Sequence, residues 1–223
     1  MNPPTPARRT RHLDIGCGTR PRNPYRRDEV HGVDIREATT AAGAEIRRAN
    51  LAVEPIPFPD SHFDSVSAYD FLEHVPRVLP ATGGGTRFPF IELMNEVWRV
   101  LVPGGRFACE AFVRPVVLEG APEVRRLFSL PWSPWSDRPH RWLERILTFR
   151  EQFQRVTHHV ILEEDGTIRQ HWSRTRLFDR DALAARITAS GLVIREWVGH
   201  DLGSPVDPRN EQVWVIAERS AED

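Results

Sequence analysis

Leu13-Asp14-Ile15-Gly16-Cys17-Gly18-Thr19 is the stretch on which the reading of the fold turns. It closes a short apolar run, His12–Ile15, that reads as a buried strand, and two glycines follow at once. A glycine at such a turn lets a ligand come against the backbone where a side chain would collide. A second apolar run, Val30–Asp34, ends in an acid 18 positions after Gly16. That is near the spacing of about 20 at which an acid meets ribose hydroxyls in a strand–turn–helix unit. The glycines alone mark only a tight turn. With a strand before them and an acid after them, they point to a nucleoside-bearing ligand.

The segment that follows the turn is short. Eleven residues lie between Gly18 and Val30, Pro21 and Pro24 among them. Asn23 can cap and Pro24 can take the first helical position, so a helix of barely two turns through Glu29 is expected. A dinucleotide would want a longer helix aimed at its pyrophosphate. The arrangement suits a cofactor without phosphates better.

Further along, Asp64–Tyr69 reads as a buried strand. Phe90, Leu93, Met94, Val97 and Leu101 share one face of a helix over Phe88–Leu101, with Trp98 as packing. Pro103-Gly104-Gly105 stops it and Arg106–Val113 is another strand. Gly83–Gly85 reads as a flexible loop, with a lid as the alternative. At the far end, a helix from Phe178-Asp179 to about Ser190, stopped by Gly191, precedes strands at Leu192–Val198 and Gln212–Glu218 that form an antiparallel sheet edge. The expected fold class is α/β: a Rossmann-like, mostly parallel seven-stranded sheet with helices on both faces.

The 65 residues between Val113 and Asp179 are too many for a structureless loop, which rarely exceeds about 15 residues. Arg141–Gln154 is expected to be a helix. Arg155–Glu164 and Thr167–Arg176 flank Asp165-Gly166, a hairpin signal. A two-residue turn would set Val160 opposite His171 and put His158 and His171 on one face. The expected organisation is therefore residues 1–113 and 179–223 as the two parts of a Rossmann-like domain, with 114–178 as a cap inserted after the fifth strand.

Leu13–Thr19, Gly32-Val33-Asp34-Ile35, Pro57–Asp64, Phe71-Leu72-Glu73-His74-Val75 and Asn95–Gly105 occur in that order, and together they resemble the class I S-adenosylmethionine-dependent methyltransferases. The resemblance covers Arg11–Val113 by motif and Asp179–Arg219 by topology. It implies S-adenosylmethionine as cofactor and S-adenosylhomocysteine as product, with Asp14, Gly16, Cys17 and Gly18 at the methionine end. Asp34 is then expected on the ribose hydroxyls and Ile35 on adenine. Asn50 and Leu51 fall where relatives contact the adenine amine, and Tyr69 and Asp70 border the transferable methyl. Arg20 replaces the family's third glycine, which puts a modified turn at the methionine end with Arg20 near the carboxylate. Asp137-Arg138-Pro139-His140 is similar to an Asp-Pro-x-His element of relatives linked to saccharide and natural-product tailoring. With Trp132 and Trp135, the residues Asp137 and His140 form the expected substrate-binding cluster. His74, His140 and Tyr69 are the candidate proton acceptors, the two histidines set against structural roles.

Composition narrows the chemistry. All 30 fixed cations are arginine, so lysine Schiff bases, lysine bases and lysine phosphate loops are excluded. With 31 acids the net charge is −1, and no global field draws nucleic acid. Arg125, Arg126, Arg138, Arg141 and Arg145 are the only local case for a nucleic-acid or protein substrate. Two cysteines make neither a disulfide framework nor a four-ligand zinc site, and adjacent His158 and His159 point to opposite faces of a strand, so no metal is expected. No run nears the roughly 20 apolar residues of a membrane helix, and Met1–Arg11 has no hydrophobic segment of a secretory signal. A cytoplasmic enzyme acting on an oxygen or nitrogen of a small molecule is the expectation, oxygen slightly ahead, with a homodimer left open. A non-catalytic cofactor-binding protein is the other reading.

Overall fold

A computed structural model describes residues 8–36, 43–76, 78–114, 123–131, 133, 136, 138–149, 154–199 and 202–221. Trp132, Trp135 and Asp137, three of the expected substrate contacts, lie outside the described residues. In chain order the elements are β1 (Arg11–Ile15), β2 (Glu29–Asp34), β3 (Glu45–Arg48), β4 (Phe63–Ala68), β5 (Leu79–Pro80), β6 (Thr86–Arg87), α1 (Pro89–Val100), β7 (Leu101–Phe112), β8 (Glu123–Leu130), β9 (His140–Phe149), β10 (Gln154–Glu163), β11 (Ile168–Arg176), α2 (Arg180–Thr188), β12 (Leu192–Val198) and β13 (Gln212–Arg219). The chain clusters into two compact units. One is Met1–Ala111 with Asp181–Asp207 and Gln212–Asp223; the other is Phe112–Arg180 with Pro208–Glu211.

The first unit is built on a seven-stranded sheet ordered β12-β13-β7-β4-β1-β2-β3. β1 pairs in parallel with β2 and β4, β2 with β3, and β4 with β7, while β12 runs antiparallel to β13 at the edge. The apolar runs form these strands because parallel strands are covered on both faces. Leu13, Val33, Phe63, Val66, Leu101, Phe107 and Cys109 are almost wholly buried. α1 buries Phe90, Leu93, Met94, Val97 and Val100, the face its 3.6-residue period foretells. It runs straight into β7, and Pro103-Gly104-Gly105 bulges there, so the pairing steps from Phe63↔Leu101 to Ser65↔Arg106. Gly83, Gly84 and Gly85, all at positive φ, form the tip of the small β5–β6 ribbon.

Two expectations fail in this unit. Only α1 and α2 are α-helices among the described residues, so helices on both faces are not found. The two-turn helix from Asn23 is absent: Asn23 Oδ1 accepts from the Arg27 N–H and its Nδ2 donates to the Arg27 carbonyl, both at 2.9 Å. One side chain thus closes a turn that a helix would have closed with its backbone.

The second unit is a four-stranded antiparallel sheet ordered β11-β10-β9-β8. Arg141–Gln154, expected as a helix, is strand β9 as far as Phe149, hydrogen-bonded to β8 on one side and β10 on the other. Two flanking ladders outweigh the weak local helix preference of that segment. The hairpin register also differs from the expectation. Gly166 sits at φ +85°, the Gly166 N–H donates to Glu163 and the Thr167 N–H to Asp165 Oδ1, which makes a three-residue loop. Val160 consequently faces Gln170, His159 faces His171 and His158 faces Trp172, so His158 and His171 lie on opposite faces.

Candidate functional site

Order along the first sheet reverses at β1: the chain builds β2 and β3 to one side, then returns to place β4 and β7 on the other. Loops leaving the carboxyl ends of β1 and β4 diverge there and open a crevice, the usual ligand position in such sheets. A cleft of about 370 Å³ lies at this point, of a size for a small ligand. Its wall includes Gly16 after β1, Asp34 and Ile35 after β2, Asn50 and Leu51 after β3, and Asp70 and His74 after β4. Seven expected site residues from four separate loops are thus brought together.

The turn after β1 is held by its neighbour. The Gly16 and Cys17 N–H groups both donate to the Val33 carbonyl, and the Gly18 N–H donates to Asp34 Oδ2 at 2.9 Å. Gly16 and Gly18 have φ of +68° and +58°, the left-handed region that glycine enters at least cost. A Cβ on Gly16 would lie 2.5 Å from the Phe71 ring, so the missing side chain makes room for Phe71, which also lines the cleft. Asp34 Oδ1 accepts from the Arg36 N–H at 2.9 Å. Each carboxylate oxygen keeps a lone pair for a ligand hydroxyl. Ile35, 56% exposed, is an apolar side chain in the cleft wall beside it. Asn50 Oδ1 accepts from the Ala52 N–H, shaping the turn after β3.

Asp14, Cys17, Arg20 and Tyr69 are not part of the cleft wall. Asp14 is buried: its Oδ1 accepts from Ser67 and its Oδ2 from the Arg22 N–H, both at 2.8 Å, and burial pushes its carboxyl up to about 6. His12, two residues earlier on the same strand face, bridges Ser65 and Ser67, and burial holds it neutral, down at about 3. The Cys17 side chain turns towards Gly32, where a Cβ would come within 2.4 Å of its sulfur, and burial raises its thiol to about 12. Arg20 is exposed. Tyr69 packs edge-on to Trp214 at 4.4 Å with the Arg22 guanidinium 4.3 Å over its ring, and burial raises its hydroxyl. His74, on the single helical turn Leu72–His74, is exposed at the cleft.

Asp70 stands at φ +45°, exposed, with its N–H donating to Glu110 Oε2 at 3.0 Å. Glu110, on β7, is only 5% exposed, and Gln212 donates its side-chain amide to the other oxygen. Phe71 and Glu110 are the residues the sequence reading gave no role. A lone acid inside the apolar run Phe107–Val113 was the available signal for Glu110.

In the second unit His140 is buried at the start of β9. Its Nδ1 lies 2.7 Å from the Arg138 carbonyl, which can only accept, so Nδ1 donates this bond, and the buried Nε2 has no hydrogen-bond partner among the described residues. His140 lines a cavity of about 600 Å³ together with Pro139, Arg141 and Glu163. On one face of this sheet Trp142 donates to His159 Nδ1 at 3.1 Å and packs on Phe128. On the other, His158 stacks on Trp172 at 3.9 Å. Among the described residues no group of three or more His, Cys, Asp or Glu could hold a metal ion, and no helix is long and apolar enough to cross a membrane.

The methyltransferase domain family matches residues 13–109. Demethylmenaquinone methyltransferases of Listeria welshimeri and Listeria monocytogenes are 31% identical over 116 residues, 45% of this chain and 44% of theirs. The chain thus matches less than half the length of these curated relatives. Among solved structures, the CcbJ methyltransferase of Streptomyces caelestis superposes with TM-score 0.64 at 16% identity, covering 96% of this chain and 84% of that one. A SAM-bound amino pentose methyltransferase of calicheamicin biosynthesis from Micromonospora echinaspora gives 0.63 at 15% identity, covering 95% and 84%. A sugar N-methyltransferase from Streptoalloteichus gives 0.62 at 14%, covering 95% and 81%. The α/β fold with its mostly parallel seven-stranded sheet is that of the methyltransferases.

Proposed function

We propose that this chain, whose residues 13–109 are a methyltransferase domain, transfers a methyl group from S-adenosylmethionine to an oxygen or nitrogen of a small-molecule acceptor. The observation that carries the reading is the cleft at the switch point, where a left-handed glycine turn is tied to the carboxylate that ends β2. Its residues fit the cofactor. Ile35, Leu51 and Val75 offer an apolar slot for a flat base, while Asp34 and Asp70 put negative charge where a cationic ligand would rest. When bound, the cofactor supplies a methyl group on a positively charged sulfur, already electrophilic.

The protein's own part is to hold, orient and exclude water. Asp34 would take the ribose hydroxyls, Ile35 and Leu51 would cover the adenine, and Asn50 would meet its amine. The backbone from Gly16 to Gly18 would run along the methionine portion, with Arg20 free to reach its carboxylate. Tyr69 and Asp70 would border the transferable methyl, and His74 is the exposed imidazole able to take a proton there. Replacing Asp34 with alanine should weaken S-adenosylmethionine binding in a calorimeter at least tenfold, since hydrogen bonds to a charged group contribute about 1.5–3 kcal/mol. Unchanged affinity would overturn the assignment.

Residues 114–178 would recognise the acceptor as a cap, with Trp142, Phe128 and His159 supplying an aromatic and polar face. Nitrogen moves ahead of oxygen as the acceptor atom because the fold neighbours include a sugar N-methyltransferase and a methyltransferase of an amino pentose. Arg125, Arg126, Arg138 and Arg145 each lie against a carboxylate, which leaves little of a basic stripe for nucleic acid. An electrophoretic shift with single-stranded DNA at moderate salt should accordingly be absent; a retarded band would favour the nucleic-acid alternative.

A further inference from the structure

Side chains of the β8–β11 sheet alternate between two faces of opposite character. On one face His140, Thr157, His159, Ile161 and Glu163 are buried, and Val124 is the one large apolar side chain exposed there among the described residues. The register puts Leu127, Leu143, Phe149, Leu162, Ile168 and Trp172 together on the other face, and all six are exposed. Leu127 is 68% exposed, Ile168 61% and Trp172 60%. Arg125, Arg145 and Arg174 share this face, with Glu123 as its one acid among the described residues. An exposed apolar patch of this extent marks an interaction surface. Aromatic and aliphatic side chains with arginine and almost no acid are also what the cores of protein interfaces contain.

We propose that this face packs against the same face of a second copy of the chain, around a two-fold axis that runs along the strands. Shape favours that occupant. A pleated, twisted face is matched by another sheet of equal twist, with strands within about 30° of each other, and an identical copy meets that condition. Area favours it as well. Four strands about 4.8 Å apart and about nine residues long make a face of roughly 19 by 30 Å, close to 600 Å² in projection. Side-chain relief raises its accessible area towards the roughly 800 Å² per partner that a stable interface buries. Charge decides the arrangement. One cross-strand row reads Arg174, Val156, Leu147, Glu123, and the next reads Trp172, His158, Arg145, Arg125. Each row therefore has unlike groups at its β11 and β8 edges. The two-fold lays β11 over the partner's β8, so Arg174 meets the partner's Glu123 and Trp172 meets the partner's Arg125, each contact made twice. At the centre of the row beyond, Val160 meets the partner's Leu143. Arg145 Nε already holds Glu123 in place at 2.8 Å. An anionic lipid surface would instead meet Glu123 and, at the hairpin end of the face, the exposed Glu164 and Asp165.

Sedimentation velocity of the full chain, from about 1 to about 100 µM, covers the range in which a micromolar interface titrates. It should show a monomer–dimer equilibrium that lies towards dimer at the upper end. Leu143→Asp sets an unpaired charge at the centre of the interface and should raise the dimer dissociation constant by about a hundredfold or more. Leu127→Asp, at a more exposed position, should also weaken the dimer and serves if the first variant fails to fold. Phe88→Asp, at an exposed apolar position of the first unit, should leave the dimer intact. Arg174→Glu and Glu123→Arg should each weaken self-association. An equal mixture of those two variants should dimerise again, because only the mixed pair restores both opposite-charge contacts. A chain that is monomeric at about 100 µM, or a dimer of unchanged strength in the folded leucine variants, would overturn the proposal. A mixture that fails to recover would overturn the two-fold arrangement. A monomer that floats with vesicles of phosphatidylglycerol would give the face to lipid instead. None of these outcomes touches the cofactor cleft, so the proposed function stands or falls separately.

Discussion

His12 and Asp14 lie side by side beneath the glycine turn, joined through Ser67, and they respond to acid in opposite directions. His12 is held neutral down to about 3, whereas an unfolded histidine takes a proton near 6.5. Between those values the unfolded chain binds more protons, so His12 makes the protein less stable as pH falls from 6.5. Asp14 is raised to about 6, so the folded chain binds more protons between there and 3.8, and Asp14 adds stability as pH falls through that window. Replacing His12 with asparagine should cost about 1–2 kcal/mol at pH 7 through lost hydrogen bonds. It should also flatten the loss of stability on going to pH 5. Urea midpoints at pH 7, 6 and 5 measure both, and an unchanged slope would show that His12 is not the responding group. At this scale Asp34 and the two glycines were legible because their chemistry is local. Glu110 was not, because its partners Asp70 and Gln212 are 40 and 102 positions away.

Elements depend on turns, and the β10–β11 hairpin shows how one glycine sets a register. A single-residue difference in loop length moved His158 and His171 to opposite faces, since side chains alternate along a strand. Gly166→Ala would place a Cβ in the left-handed region at φ +85°, a cost of about 1–2 kcal/mol. Amide exchange at Glu163, whose N–H donates to the Thr167 carbonyl across the loop, should accelerate by roughly five- to thirtyfold, following the same 1–2 kcal/mol. Exchange at its original rate would mean that the loop relaxes into another turn. β9 makes the complementary point. Its sequence carries arginines, a glutamate and leucines that a helix also accepts, and its strand state comes from neighbours on both sides, β10 along its whole length and β8 as far as Leu147. α1 needed no such help, since its apolar stripe and the Pro-Gly-Gly bulge after it are written at short range.

For the whole molecule, ligand binding and folding are linked, because only the folded cleft joins Gly16, Asp34, Asn50 and Asp70. S-adenosylmethionine at a hundred times its dissociation constant should stabilise the chain by about 2.7 kcal/mol. For a chain of this length that corresponds to a melting shift of roughly 5–10 °C. Asp34→Ala should lose most of the shift, which a thermal melt in the two backgrounds reads directly. What the sequence determined by itself was everything carried by spacing within one element or one turn. It settled the strand that ends in glycines, the acid at the end of the next strand, the amphipathic helix and the antiparallel edge. The absence of lysine likewise restricted the proton acceptor to other residue types. Only the tertiary structure decided which segments of 114–178 pair with one another, that a turn replaces the first helix, and that Glu110 stands behind Asp70. The Asn23–Arg27 turn spans four positions, whereas the strand pairings and the Glu110 contact depend on partners far apart in the chain. Long-range hydrogen-bond ladders and burial outweigh local preferences there by several kcal/mol in sum, and no short window of sequence contains both partners.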